Sequence, residues 1–466
     1  MLEFNELTPR LMDQFIGKGV LPNFQRFRDE SRVFVTDAGE AQENLEPWIQ
    51  WVTIHSGLSC AEHGVFHLNE AQKLTKPCLW DLASAAGGKV WICGSMNVRF
   101  DTPINGRILP DPWSSADAYP RELNSFFQFV RKQVQEHSND RAPLSLGEAA
   151  RFVAFLLSHG LAFSTITSII QQILDERRTN VRWKRATLLD RMQWDLFKHY
   201  FRKDRPAFST FFVNSTAHFQ HCYWRNFEPE HFSIQPSPEE QQSLQDAIAF
   251  GYREMDRIVG EALELCGDDS VLMLATGLGQ QPYLKMEETG GKLLYRPHDL
   301  NAFASTFGLT GVTRATPVMA EQFYLYHQSE ADAERSYDLL KQPRLNGEPL
   351  FGHVVREGCE LLLGCGIFHD VQQDAVIEFP GGKQIRFYDA LYLIKDSLKS
   401  GMHHGDGILW IRSADRKHSE TQRVGLTSVA PTILELLGIA APGFMRMPAI
   451  PLDGRTEEPF AQPAAV

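Results

Sequence analysis

The sequence predicts an α/β fold in which helices cover both faces of a central, mainly parallel sheet. Short apolar runs recur between segments of helical periodicity, and such runs are typical of strands that are buried on both faces. The runs lie at residues 1–4, 89–93, 207–213, 270–275 and 407–412. Because buried strands that alternate with helices form parallel sheets, we expect these five to be neighbours in one sheet.

The elements follow one another along the chain in a strand, loop, helix order. The opening LEFNELTP favours a short strand that stops at a polar turn, and helical spacing follows at Leu11, Phe15 and Ile16. A second such unit occupies residues 48–68, and residues 240–266 predict one amphipathic helix. Residues 300–400 mix short helical and strand signals.

The middle of the chain predicts a helical insertion. Residues 114–205 are rich in long side chains at helical spacing, which indicates a helical cap between two parts of the core, 1–113 and 206–452. The tail 453–466 is polar and rich in Pro and Ala, which predicts flexibility.

One segment of this cap is long enough to cross a bilayer. Residues 152–174 contain no Asp, Glu, Lys or Arg. Polar residues within the segment favour instead a buried helix, or two short helices joined at His159 and Gly160. We therefore predict no membrane span.

Composition narrows the classes of function. The 466 residues carry a net charge of −12, and no long group of Lys and Arg is present, which argues against a nucleic-acid partner. The seven cysteines form no CxxC pair, and the first residues show no basic and apolar leader. These features predict reduced thiols and a cytoplasmic location.

Several stretches, in order, resemble the alkaline phosphatase superfamily, most closely its type I phosphodiesterase/nucleotide pyrophosphatase branch. The stretches are FNELTP with GVLPNFQRF, WVTIHSGLSCAEHGVF, FFVNSTAHFQHCYWR, VLMLATGLGQQPY, and HHGDGILWI with VGLTSVAPTILELLGI. The resemblance implies an alkaline-phosphatase-like fold. It also implies two divalent metals, usually zinc, beside a Thr or Ser nucleophile, with Asp and His ligands at strand ends.

Most of the residues that the resemblance implies are substituted in this chain. The first aspartate falls on Asn5, and the nucleophile falls at Glu46 or Pro47. The Asp-His pair falls on Thr276 and Gly277, and a further aspartate falls on Ala217. A neutral amide and a hydroxyl are weak ligands for zinc, so the usual two-zinc arrangement is not expected.

The metal ligands that the resemblance retains are histidines. They are His221 and either His404 or its neighbour His403, with help from His218, Asp406, Glu6 or Glu46. This set predicts one divalent metal, zinc in first place, or none.

The candidate catalytic residues are polar groups that follow predicted strands or begin a helix. They are Glu46, Asn5, Glu6 and Gln50. Glu46 suits a general base, a metal ligand or a carboxylate nucleophile, and equally an acid at the start of a helix with Pro47 in its first turn.

The leading hypothesis from the sequence is a divergent phosphodiesterase or phosphatase-like hydrolase with altered or single-metal dependence. It would act on a phosphorylated or otherwise anionic small molecule. Two alternatives stay open: a non-catalytic binding or assembly protein of the same fold, and a non-hydrolytic transferase or lyase that uses Glu46 as base.

Overall fold

A central sheet of eight strands organises the chain. The structure, a computed structural model, describes residues 1–137, 145–289, 291–394 and 398–452. The predicted flexible tail, 453–466, lies outside the described residues.

The strands are, in chain order, β1 Leu2–Phe4, β2 Arg32–Asp37, β3 Val90–Cys93, β4 Gly106–Leu109, β5 Phe208–Val213, β6 Leu272–Ala275, β7 Gly279–Pro282, β8 Tyr295–Pro297, β9 Val312–Pro317, β10 Gln322–His327, β11 Arg344–Leu345, β12 Glu348–Pro349, β13 Phe351–Glu357, β14 Glu360–Cys365, β15 Val376–Glu378, β16 Gln384–Arg386, β17 Leu391–Leu393, β18 Gly401–His404, β19 Asp406–Arg412 and β20 Ser419–Gly425.

The helices are α1 Pro9–Gly17, α2 Pro22–Asp29, α3 Pro47–Ser56, α4 Cys60–His63, α5 Leu79–Ala85, α6 Asn124–His137, α7 Leu146–Ser158, α8 Phe163–Asp175, α9 Arg185–Asp204, α10 Ser215–Phe227, α11 Pro238–Leu244, α12 Ala247–Cys266, α13 Leu300–Phe307, α14 Glu330–Leu340, α15 Phe387–Ala390 and α16 Val429–Leu436.

The central sheet confirms the predicted α/β class. Its strand order is β20-β2-β19-β6-β1-β5-β3-β4, and β19 alone runs antiparallel to its two neighbours. The five predicted strands correspond to β1, β3, β5, β6 and β19. They are consecutive neighbours in the sheet, in the order β19-β6-β1-β5-β3. The sheet is therefore mainly parallel, as expected from strands that are buried on both faces.

Helices pack on both faces of the sheet, and each face has its own apolar core. Residues of α1, α2, α9 and α12 form the core on one face, together with aromatic side chains of the sheet. Residues of α3, α5 and α16 form the core on the other face. The single helix predicted at 240–266 is two helices, α11 and α12.

The segment 114–205 is helical, as predicted, and contains α6, α7, α8 and α9. Its last helix, α9, packs against β3 and β5 of the sheet. The division of the chain into a core and a cap stays a prediction. Residues 152–174 form two helices that separate after Ser158, and no described helix is both long enough and apolar enough to span a membrane.

The segment that the sequence left unassigned, 300–400, contributes two small antiparallel sheets. One has the order β13-β14-β10-β9 and the other β12-β11-β15-β16. A third apolar core, with Phe303, Phe351 and Leu361 among its members, lies between these sheets and α13. The strands are short and several are half exposed, which weakens the period-two pattern that would have revealed them.

Candidate functional site

A cluster of polar side chains lies where the central strands end. Glu6 follows β1 directly, His221 lies on α10, which begins after β5, and His403 lies on β18, which pairs with β7 just after β6. Because β1, β5 and β6 run parallel, their carboxyl ends meet at one edge of the sheet. This edge is where open α/β sheets bind ligands.

Glu6 is the centre of the cluster. Its Oε2 lies 3.0 Å from Nε2 of His221 and 3.5 Å from Nε2 of His403. One ligand atom from each of the three residues lies within 4.8 Å of the other two. The amide Nε2 of Gln280 donates a further hydrogen bond to Oε2 of Glu6. Glu6, His221 and His403 form a candidate metal site. Its ligand set, two imidazoles and one carboxylate, suits zinc.

The charge of Glu6 is stabilised although the residue is buried. Burial alone would raise the pKa of Glu6, but His403 and His221 and the hydrogen bonds from His221 and Gln280 outweigh it and lower this pKa to about 2. Burial lowers the pKa of His403 to about 4, against the opposing charge of Glu6. At neutral pH the site therefore offers an ionised carboxylate and a neutral imidazole at His403, the forms that bind a cation.

The backbone fixes the orientation of His221. Nδ1 of His221 lies 3.0 Å from the carbonyl oxygen of Gly401, and because a carbonyl only accepts, Nδ1 carries the proton of this hydrogen bond. Nε2, the other ring nitrogen of His221, faces Oε2 of Glu6 at 3.0 Å. A hydrogen bond of this kind is what orients histidine ligands in metal sites.

Glu46 lies on the other side of His403. It occupies the position before the first residue of α3, Pro47, and its side chain makes no capping hydrogen bond. Its Oε2 lies 3.5 Å from Nδ1 of His403. Burial and the charge of Glu6 raise the pKa of Glu46 to about 8, with Lys399 and Lys292 opposing the rise, while a third of its side chain remains exposed.

An indole ring fills the space where the resemblance implies a second metal. Nε1 of Trp51 donates to Oδ1 of Asn5 at 2.8 Å, and a Cβ added to Gly277 would lie 3.3 Å from the same ring. Oγ1 of Thr276 accepts a hydrogen bond from the backbone N–H of Ile408 at 2.8 Å. N–H donors and an aromatic edge face this position, so it is unsuited to a cation.

Asn5 holds Glu6 in place through hydrogen bonds. Its Nδ2 donates to Oε1 of Glu6 and to Oδ1 of Asn214, at 2.7 Å each. All three hydrogen-bonding groups of the Asn5 amide are thereby occupied by protein atoms, which indicates a positioning role for this residue.

Two of the four predicted histidine ligands lie outside the cluster. His404 is exposed, and its Nδ1 accepts the N–H of Asp406 at 3.1 Å. Successive side chains of a strand point to opposite faces, so β18 turns His403 inward and His404 outward. His218 is exposed on α10, with its Nδ1 3.7 Å from Sγ of Cys222.

Gln50 is buried in α3, and its Nε2 donates to the carbonyl of Asn44 at 3.1 Å. Its described hydrogen bond orders the turn that leads into α3 and does not reach Glu6.

Lys399 is the residue that sequence reasoning missed. Among charged groups it acts most strongly on the pKa of Glu46, and it also lowers the pKa of His403. It comes four residues before His403, in a stretch without a strand pattern in the sequence. Only its proximity to the histidine pair could have drawn attention to it.

No family model matches this chain, and no curated protein matches it. Solved structures do match. Phosphonoacetate hydrolase from Sinorhizobium meliloti 1021, in complex with phosphonoformate, is 11% identical with a TM-score of 0.37 and covers 88% of this chain and 89% of its own. Murine ectonucleotide pyrophosphatase/phosphodiesterase 5 is 11% identical with a TM-score of 0.39 and covers 95% of both chains.

Wild-type alkaline phosphatase PafA is 11% identical to this chain with a TM-score of 0.44, and the match covers 96% of this chain and 97% of PafA. The three proteins belong to the alkaline phosphatase superfamily, which the sequence motifs resemble. At TM-scores below 0.5 these matches assign no residue. The site is therefore interpreted from its own geometry.

Proposed function

We propose that this chain is a hydrolase of phosphorylated or otherwise anionic small molecules that works with a single divalent metal ion, zinc in first place. The observation that carries the proposal is the convergence of Glu6, His221 and His403 at the carboxyl edge of the sheet. Among the described residues this is the one group of His, Cys, Asp and Glu with metal-site spacing.

The residues fit one such ion. Two imidazoles and one carboxylate are a ligand set of catalytic zinc, which leaves one coordination position open. Oε2 of Glu6 can bind the ion with one lone pair and keep the hydrogen bond from Gln280 with the other. When bound, the ion would supply Lewis-acid polarisation of a substrate oxygen and neutralise developing negative charge.

Glu46 would be the group that transfers a proton during hydrolysis. By the resemblance, the position of the hydroxyl nucleophile falls at Glu46 or Pro47, and neither side chain has a hydroxyl group that could form an alkoxide. Oε2 of Glu46 lies 3.5 Å from Nδ1 of His403, so its carboxyl group is placed to donate a proton to a leaving oxygen or to accept one from an attacking water. We propose this proton-transfer role for Glu46, and not a role as covalent acceptor.

Two lysines favour an anionic substrate. Lys399 and Lys292 both lower the pKa of Glu46, and their backbones pair in an antiparallel bridge. Lys292 also lies 3.0 Å from Glu321. Because Lys399 forms no ion pair with a described residue, its charge is available to a substrate phosphate or carboxylate.

The motifs favour the type I phosphodiesterase/nucleotide pyrophosphatase branch, so phosphodiesters, including nucleotides, are the first substrates to test. A cytoplasmic location belongs to the same proposal. No disulfide joins any of the seven cysteines, all of which lie in the described part of the chain.

The test is turnover of the activated esters p-nitrophenyl phosphate and bis(p-nitrophenyl) phosphate by metal-loaded and chelator-treated protein. We expect turnover that requires the metal and is lost in His221→Ala, while His404→Ala, which changes an exposed histidine, retains it. Metal-free protein without turnover would favour the non-catalytic binding protein. Consumption of substrate without incorporation of oxygen from labelled water would favour the transferase or lyase.

A further inference from the structure

The helices α7 and α8 expose an apolar surface. Val153 and Leu157 of α7 are 49% and 58% exposed, and Phe163 of α8 is 79% exposed. On α8 the exposed stripe continues with Ile170, Ile173 and Leu174, which are about half exposed. We call these six residues the α7–α8 face. Exposed apolar side chains concentrated on two successive helices indicate an interaction site.

The fully buried residues of α8 are polar, which is unusual for a surface helix. Thr165 and Gln172 are the buried residues of this helix. Oγ1 of Thr165 donates to Oδ2 of Asp195 at 2.6 Å, and Nε2 of Gln172 donates to the carbonyl of Val181 at 2.7 Å. A surface helix normally buries its apolar stripe and exposes its polar side. Here hydrogen bonds hold α8 to α9 and to the segment just before α9, and the exposed apolar stripe is left for another occupant.

Positive charge borders the α7–α8 face. Arg177, Arg178 and Arg182 follow α8 and are exposed. No ion pair joins Arg177 or Arg178 to a described residue, whereas the charge of Arg182 acts on Glu176. Residues 145–205 contain eleven Lys and Arg against six Asp and Glu, in a chain whose net charge is −12. Arg177 and Arg178 come directly after the last turn of α8, so this positive rim adjoins the end of the α7–α8 face at Leu174.

We infer that the α7–α8 face docks on a lipid bilayer that carries anionic headgroups, with the apolar stripe inserted in the interfacial layer. An apolar stripe without charged side chains, beside arginines that can reach headgroup phosphates, is the pattern of an interfacial helix. A second copy of this chain is a less suitable occupant of the face than a bilayer. A two-fold contact through the face would bring the like-charged arginines of the two copies together. Each helix is too short to span the bilayer, so the contact is peripheral.

The test is co-sedimentation of the full chain with phosphatidylcholine vesicles, with and without phosphatidylserine. We expect binding that requires phosphatidylserine and weakens with salt. Arg177→Gln/Arg178→Gln should weaken it about 25-fold, since each basic side chain near an anionic leaflet contributes about a factor of five. Ile170→Ser/Ile173→Ser should weaken it about tenfold or more, because the inserted apolar area is lost.

The matched charge control is Arg253→Gln/Lys285→Gln, which removes two exposed cations outside the face and should change binding little. The matched apolar control is Leu339→Ser. It changes an exposed leucine of α14, which is not part of the α7–α8 face. Circular dichroism and thermal unfolding would verify that each variant is folded.

Absence of binding to either vesicle by the wild-type chain would overturn the inference, as would equal weakening by the controls. In that case, a concentration-dependent dimer that Ile170→Ser/Ile173→Ser abolishes would identify a second copy as the occupant of the face.

Discussion

At the scale of the residue, the site depends on keeping Glu6 ionised where water is excluded. A buried carboxylate is costly unless hydrogen bonds and nearby positive or polar groups compensate. Asn5 and Gln280 each donate to one carboxylate oxygen of Glu6, and the two histidines face it. This arrangement holds a ligand in its charged form before any cation arrives, which is the preorganisation a metal site needs.

The adjacent histidines of β18 provide a sharp test of the ligand assignment. His403→Ala removes one of three proposed ligands, so we expect bound zinc, about one ion per chain in the wild type, to fall to a small fraction of that. His404→Ala changes the neighbouring exposed ring and should retain the ion. Elemental analysis after gel filtration measures both. Loss of zinc in His404→Ala alone would show that β18 presents the other histidine to the ion.

Glu46 provides the second test at this scale. Glu46→Gln keeps the shape of the side chain and removes its proton, so we expect turnover to fall by about two orders of magnitude. In the wild type, activity should follow the ionisation of Glu46, whose pKa burial raises, and this pH dependence should be absent in Glu46→Gln. Steady-state rates between pH 6 and pH 9 check both expectations.

Glu43→Gln changes an exposed carboxylate three residues earlier and serves as the control. Unchanged turnover in Glu46→Gln would assign Glu46 to the start of α3, and a trapped phosphoryl adduct on its side chain would show a covalent role.

At the scale of the element, the sequence predicted those strands and helices whose local residue pattern determines them. The central strands are continuous apolar runs, so the sequence predicted β1, β5 and β6 together with the polar residues that follow each of them. His403 and His404 show where such reasoning ends. Which of the two faces the cluster depends on the pairing of β18 with Gly279–Pro282, and a shift of one residue would exchange them. The hydrogen bond from Trp51 to Asn5, where the resemblance implies a metal ligand, is likewise a contact that no local pattern encodes.

The contact between α9 and α10 carries a pH-sensitive carboxyl group. Oγ of Ser215, the first residue of α10, donates to Oδ2 of Asp190 on α9. Burial, with the charge of Glu254 adding to it, raises the pKa of Asp190 from 3.8 to about 7, against the hydrogen bond from Ser215. Since α10 also carries His221, this contact helps to hold a proposed ligand in place.

Asp190 should make the protein less stable as pH rises. Its folded-state pKa is above its unfolded value, so its contribution to stability is complete below about pH 4 and is lost as pH rises through about 7. Asp190→Asn should therefore raise the free energy of unfolding at pH 8 by roughly 2–4 kcal/mol relative to the wild type and change it little at pH 4. Urea denaturation at the two pH values measures this.

Asp338→Asn, at an exposed position of α14, is the control and should leave the pH dependence of unfolding unchanged. A parallel loss of stability in Asp190→Asn at both pH values would mean that packing, and not ionisation, dominates at this contact.

At the scale of the whole molecule, the cluster joins parts of the chain that are far apart in sequence. Glu6 lies near the start, His221 near the middle and His403 near the end of the described chain, and each is placed by a different element. The sheet brings these elements together through parallel pairing of β1 with both β5 and β6. The site therefore exists only when the central sheet is formed.

This dependence predicts that a bound metal stabilises the entire fold. An ion that binds the folded state alone raises the free energy of unfolding by about 2.7 kcal/mol when its free concentration is about 100 times its Kd. Zinc should thus raise the Tm of the wild type, and a chelator should reverse the shift. Glu6→Gln, which replaces the central carboxylate, should abolish this zinc-dependent shift, while Glu43→Gln should retain it. Thermal unfolding at increasing free zinc, followed by circular dichroism, measures the shift, and an equal shift in Glu6→Gln would show that zinc binds somewhere other than this cluster.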